Sequence, residues 1–159
     1  MAERSLQEQI PHNHCFGCGP FNERGLTLKS YWSGKGRSRA RFAPEAHHCA
    51  GPRHFVNGGI LSTLIDCHCV CTATAAAYLD DGRAIGSGPQ YFFATTKLMI
   101  EFLRPTPIDA ELELEAEIEE AIENGYRLSC TLEAREKTCV MGIVEAVRVS
   151  AAWMTRREQ

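Results

Sequence analysis

The 159-residue chain lacks any excess of basic charge: 17 lysines and arginines stand against 20 aspartates and glutamates, a formal net charge of −3. That excludes the broad electrostatic footprint of a nucleic-acid binder. A local patch for a charged handle on a small substrate remains compatible with it. The chain also lacks a linker-like stretch, an internal repeat and a low-complexity tract. A single domain, 1–159, is therefore expected. The opening MAERSLQEQIPH is polar and mixed in charge, without the apolar run of a signal peptide. Only one long apolar run exists, at about 58–78. It carries Asp66, His68 and several threonines and has no basic flanks, so no membrane span is expected. These absences point to a cytosolic protein.

Cysteine, by contrast, is plentiful, with eight residues. An exported small protein would use them as a disulfide framework, but nothing indicates export. Cys67, Cys69 and Cys71 are read as small buried hydrophobes of the apolar run. Cys15 and Cys18 form a C-x-x-C, with His12 and His14 beside it and His47, His48 and Cys49 further on. Four such ligands could hold Zn²⁺. One knuckle without an obvious second pair reads instead as a tight turn, and no metal is expected. No βαβ pattern surrounds the pair to suggest a redox role.

Hydrophobic residues, cysteine included, make up 44% of the chain, enough for one core, and are distributed in two periods. GLTLKSYW (25–32) and GRSRARF (36–42) are strand-like around an SGKG turn, which suggests a hairpin. The arginines of RSRAR fall on alternate positions, either a solvated face or a contact for phosphates. A loop rich in Pro, His and Gly follows to about Val56. From Gly58 to about Tyr78 apolar residues point in nearly every direction around a helix, which marks a buried one, ended by DDGR. The second half has period two: TTKLMIEFL (95–103), AELELEAEIEE (110–120), YRLSCTLEA (126–134) after an Asn124-Gly125 turn, and VEAVRVSAAWM (144–154). The alternating glutamates read as one solvated sheet face. Two strands, one buried helix and several long antiparallel strands imply an α+β fold in which one curved sheet wraps one helix. The edges and open helix face left over imply a homo-oligomer, a dimer or a dimer of dimers.

Within that helix sits Asp66. A buried, unpaired carboxylate costs several kcal/mol, so it must be paired, hydrogen-bonded or put to use. Burial raises a carboxyl pKa and suits it to act as base or nucleophile. Asn57, Gly58 and Gly59 stand where the helix begins. Asn is a good N-cap, the free N–H groups of a helix start can hold an oxyanion, and glycine lets a carbonyl approach closely. The alternative is a plain capped helix, with Asp66 paired across a subunit interface.

The residues Asn57, Gly58, Gly59 and Asp66 resemble the helix signature of the hotdog-fold thioesterases, in the branch that includes the phenylacetate-degradation thioesterases. There a His-Gly-Gly is followed by apolar residues and by a catalytic acid nine positions after the His. TTKLMIEFLRPTP resembles the central strand of that family, and CFGCGPFNERGLTL an N-terminal signature of one subgroup, on an extension spanning about 1–24. The likeness covers roughly residues 15–154. It implies the hotdog fold and hydrolysis of an acyl-CoA thioester, with coenzyme A present as part of the substrate and no other cofactor. The N–H of Gly58 or Gly59 would polarise the carbonyl. Asp66 from the facing subunit would activate water or attack directly, and Thr95 or Thr96 would place the water. Arg53 and Arg104 are candidates for the CoA phosphates, and His54 and His68 for further substrate contact. The chain departs from the pattern at Asn57, which replaces the usual His and cannot shuttle a proton. Two other readings follow: a hotdog protein that binds acyl-CoA or another small ligand without turnover, and a hydratase or dehydratase using His54 with Asp66.

Overall fold

The structure, a computed structural model, describes residues 3–156. Its elements run β1 (Lys29–Gly34), β2 (Arg37–Phe42), α1 (Gly58–Asp80), β3 (Phe92–Phe102), β4 (Leu112–Ile122), β5 (Gly125–Ala134), β6 (Lys137–Val149) and a short α2 (Ala151–Thr155). The six strands form one antiparallel sheet in the order β1-β2-β4-β5-β6-β3. Helix α1 lies across its concave face and touches all six strands. This is the α+β hotdog architecture that the resemblance implies.

Strand alternation builds the two faces. On β4, Leu112, Leu114 and Ala116 are buried under α1 while Glu113, Glu115 and Glu117 face solvent. The arginines of β2 lie opposite those glutamates. Arg37 meets Glu117 at 2.9 Å and Arg41 meets Glu113 at 3.1 Å. Such exposed cross-strand pairs contribute little stability each but keep the outer face soluble. The hydrophobic residues of α1 fill the concave side, and Leu64, Ile65, Cys69 and Ala73 are fully buried. By length and composition α1 could cross a membrane, yet 67% of its most apolar window is buried inside this fold.

Of the boundaries that differ from the sequence expectation, three have a local reason. β1 starts at Lys29 rather than Gly25, because the N–H groups of Leu26 and Leu28 donate to Phe16 and Gly17 of the N-terminal loop. β6 begins at Lys137, seven residues before the expected Val144. The β5–β6 hairpin turns at Arg135 and Glu136, both at positive φ (52° and 60°), without the Asn-Gly that signals such a turn. The last expected strand residues instead form α2, capped by the Ser150 side chain accepting from Trp153 N–H.

The sheet has two edges, and they are treated differently. The N-terminal segment covers β1: Leu6 N–H donates to Ser30 O, and the Gln7 amide bonds both the N–H and the hydroxyl of Ser30. No described segment covers β3, along which Leu98, Met99 and Phe102 are exposed.

Candidate active site

Asp66 lies in the third turn of α1, half-buried between the fully enclosed Ile65 and the buried Cys67. It opens on a cavity of about 270 Å³ with a largely apolar lining that includes Ile10, Val70, Tyr91, Phe93 and Met154. The Thr95 hydroxyl donates to Asp66 Oδ1 at 2.5 Å. Thr95 reaches inward at an irregularity of β3, where the register against β6 shifts between Thr95 and Lys97. The next residue turns away: the Thr96 hydroxyl donates to Glu145 O on the exposed side. Of the two threonines expected near the acid, Thr95 is the partner. Burial pushes the Asp66 carboxyl above its ordinary value; the Thr95 hydrogen bond pulls it part of the way back, and the Cys18 sulfur adds a smaller upward push.

The helix start is built as the sequence suggested, with one refinement. Asn57 is the N-cap, and its Oδ1 accepts from Gly59 N–H at 2.8 Å and Ile60 N–H at 3.3 Å. The Gly59 amide is therefore engaged by the cap. The Gly58 N–H has no partner among the described residues and is the donor left for an oxyanion. A Cβ at Gly58 would come within 3.2 Å of the Phe102 ring, so the approach to this amide runs beside β3. Asp66 comes eight positions after Gly58, about 12 Å along a helix axis.

Arg53 and Arg104 are exposed and come from two loops that run side by side. Val56 N–H donates to Thr106 O at 2.9 Å, and Ile108 N–H to His54 O at 3.0 Å. Both arginines thus stand at the helix-start end of the molecule. Neither joins the ion pairs of the outer face, which engage Arg37, Arg39 and Arg41. His54 is on the same loop, exposed and packed on Phe55 with ring centroids 4.2 Å apart. No hydrogen bond joins it to Asp66, whose partner is Thr95.

The expectation that His68 contacts substrate is corrected. Its ring is fully buried toward β1 and β2, with Nδ1 2.8 Å from the Ser30 hydroxyl and Nε2 3.2 Å from Ser38 O. It is no part of the cavity wall. Burial pushes its pKa down to about 4, so the ring is neutral and ties α1 to the hairpin. The histidines expected beside the C-x-x-C are likewise elsewhere engaged: His12 and His14 pack near Phe21, and His48 Nδ1 accepts from Glu45 N–H.

The C-x-x-C itself lies on the cavity wall, and sequence reasoning missed its company. Cys15, Cys18 and Cys67 place their sulfurs within 4.8 Å of one another, with Cys15 and Cys67 at 3.6 Å. The signal was present as the i, i+4 pair Cys67 and Cys71, read as core. A larger cavity of about 1030 Å³ lies at the hairpin, lined by Lys29, Arg39, Arg41, Glu113 and Glu115 among others. Its arginines are paired with carboxylates, and neither Asp66 nor the helix start borders it. The candidate site is therefore the Asp66 cavity together with the helix start.

No protein-family model matches the chain, and no curated protein matches it. Solved structures do. A thioesterase superfamily protein from Shewanella loihica is 34% identical, with a TM-score of 0.65, the match covering 87% of this chain and 96% of that one. The PaaI protein of the phenylacetic acid degradation operon of E. coli is 15% identical (TM-score 0.60, 79% and 81% covered). A Streptococcus mutans protein solved bound to acetyl-CoA is 13% identical (TM-score 0.63, 87% and 98% covered). The last two share the fold with this chain.

Proposed function

Because the chain belongs to the thioesterase superfamily and has the hotdog fold, we propose that it hydrolyses an acyl-CoA thioester, with Asp66 as general base or nucleophile. The observation that carries this reading is the half-buried Asp66, hydrogen-bonded to Thr95 at the wall of an apolar cavity. A carboxylate raised by burial is a better base than one in water, and a hydroxyl donor beside it can orient the attacking water. In the general-base form, Asp66 takes a proton as the water oxygen bonds the carbonyl carbon. The C–S bond then breaks, and the proton passes to the departing CoA thiolate.

The oxyanion donor is assigned to Gly58 N–H of a second copy. Within one chain that amide and Asp66 are about 12 Å apart along α1, too far to hold the two sides of one carbonyl centre. A dimer built on the uncovered β3 edge would bring the helix start of one copy toward Asp66 of the other. Arg53 and Arg104 beside the helix start are suited to the phosphates of CoA. The acetyl-CoA held by the Streptococcus mutans protein supports this choice of substrate class. The reading is of a cytosolic homo-oligomer whose reaction uses no cofactor beyond the CoA of its substrate.

A second reading is favoured by Asn57. Its amide occupies the Gly59 N–H and cannot move a proton, so the scaffold would bind an acyl-CoA or similar ligand without turnover. Free-thiol release from short, long and aryl acyl-CoAs separates the two. Hydrolysis by the wild type, with a loss of about 10²-fold or more in Asp66→Asn, is expected. Binding without thiol release from any of the panel would support the second reading and overturn the first.

A further inference from the structure

Four cysteines line the Asp66 cavity, and the proposed hydrolysis uses none of them. Cys15 and Cys18 come from the N-terminal loop; Cys67 and Cys71 lie one turn apart on a single face of α1. The sulfurs of Cys15, Cys18 and Cys67 are mutually within 4.8 Å, Cys15 and Cys67 are 3.6 Å apart, and Cys71 lines the same cavity one helical turn on. Ligand sulfurs around a tetrahedral zinc, each at about 2.3 Å, stand about 3.8 Å from one another. Disulfide sulfurs stand about 2.0 Å apart. The 3.6 Å between Cys15 and Cys67 is that of two ligands on one ion, and Cys18 lies close enough to be a third.

The backbone is shaped to allow this approach. A Cβ at Gly17 would lie 2.4 Å from Cys67 Sγ and 2.7 Å from Thr63 Cγ2, so only glycine lets the loop press its thiols onto the helix. Gly19 N–H closes the knuckle onto Cys15 O at 2.8 Å. The Asn13 amide donates to Cys18 Sγ at 3.7 Å, the kind of contact that supports a thiolate. Cys18, Cys67 and Cys71 are buried, while Cys15 is exposed and leaves an entry path.

We propose that Cys15, Cys18, Cys67 and Cys71 bind a Zn²⁺ ion that clamps the N-terminal loop to α1 beside Asp66. An all-thiolate set selects a soft or borderline ion, and four protein ligands leave no position for substrate. The ion's role is structural. Ile10 and Asn13 belong to the same segment and border the cavity, so the clamp holds the wall against which an acyl group would pack. The site stands on its own geometry, whatever chemistry Asp66 performs.

The test uses the full chain, reduced and freed of metal, then titrated with Zn²⁺ and separately with Co²⁺. Expected are about one ion per chain, a thiolate-to-cobalt charge-transfer band with the visible bands of a tetrahedral site, and a higher Tm with Zn²⁺. Cys15→Ser, at an exposed position, should keep the fold by circular dichroism and lose the cobalt spectrum, whereas Cys49→Ser should bind as wild type does. Cys67→Ser serves as the second variant. A folded, reduced protein that takes up neither ion would overturn the proposal. So would undiminished binding by Cys15→Ser, or a disulfide among these cysteines in protein that takes up no Zn²⁺ after reduction.

Discussion

A hydroxyl 2.5 Å from a half-buried carboxylate influences what that carboxylate can do. Thr95 donates to Asp66, so its Oγ1 can hold the acid in one rotamer and hand a water to it. In Thr95→Val the shape is kept and the donor lost. A hydrogen bond to a charged group contributes about 1.5–3 kcal/mol, so kcat for thioester hydrolysis is expected to fall about tenfold or more, with KM little changed. Thr95→Ser should restore most of the rate. An unchanged kcat in the valine variant would remove Thr95 from the machinery. At this scale the sequence was partly legible. Asp66 stood out as an acid in an apolar helix, and Asn57 as a cap. The choice between Thr95 and Thr96 was not legible, because a register shift in β3, not strand alternation alone, decides which hydroxyl turns inward.

At the scale of elements, the junction between α1 and the β1–β2 hairpin is polar in an otherwise apolar layer. His68 meets Ser30 and Ser38, while Thr72 bonds the hydroxyl of Ser38 and the carbonyl of His68. The groups facing the ring are neutral hydroxyls and a carbonyl, so nothing there stabilises an imidazolium by charge. Its pKa is about 4 in the fold against an ordinary 6.5. The unfolded chain therefore takes up the proton first as pH falls. The stabilisation is complete above the ordinary pKa, declines between 6.5 and 4, and is constant below that window. From about pH 7.5 to about pH 4.5 the His68 contribution should fall by on the order of 2–3 kcal/mol. Urea unfolding at both pH values would read it, with His68→Gln losing correspondingly less stability over the same interval. Equal losses in the two proteins would show that the ring is not the titrating group. The sequence announced a histidine in the helix but not its direction, since a helix apolar all round has no face that points to the sheet edge.

For the whole molecule, the decisive feature is the unequal treatment of the sheet edges. Gln7 and Leu6 close β1, whereas among the described residues β3 presents open backbone and a row of exposed apolar side chains. Such an edge is a site for pairing with another copy. Leu98→Glu puts a charge into that surface. Sedimentation is expected to show a dimer or larger assembly for the wild type and a monomer for the variant. Thioester hydrolysis should be lost along with the assembly, although Asp66 and Thr95 remain together in each chain. A variant that is monomeric and fully active would refute the assignment of Gly58 to a second copy.

The sequence by itself determined the fold class, the buried helix with its cap and its acid, and the period-two strands. These follow from local periodicity and capping chemistry, which neighbouring residues carry in full. Tertiary structure alone decided that Cys67 meets Cys15 and Cys18, that His68 faces the hairpin, and that Thr95 rather than Thr96 holds Asp66. Each of these depends on how far α1 is rotated and shifted against the sheet. That rotation is set by the packing of many side chains at once, such as Gly142, where an added Cβ would come within 2.6 Å of Ile65. No single stretch of sequence contains that information.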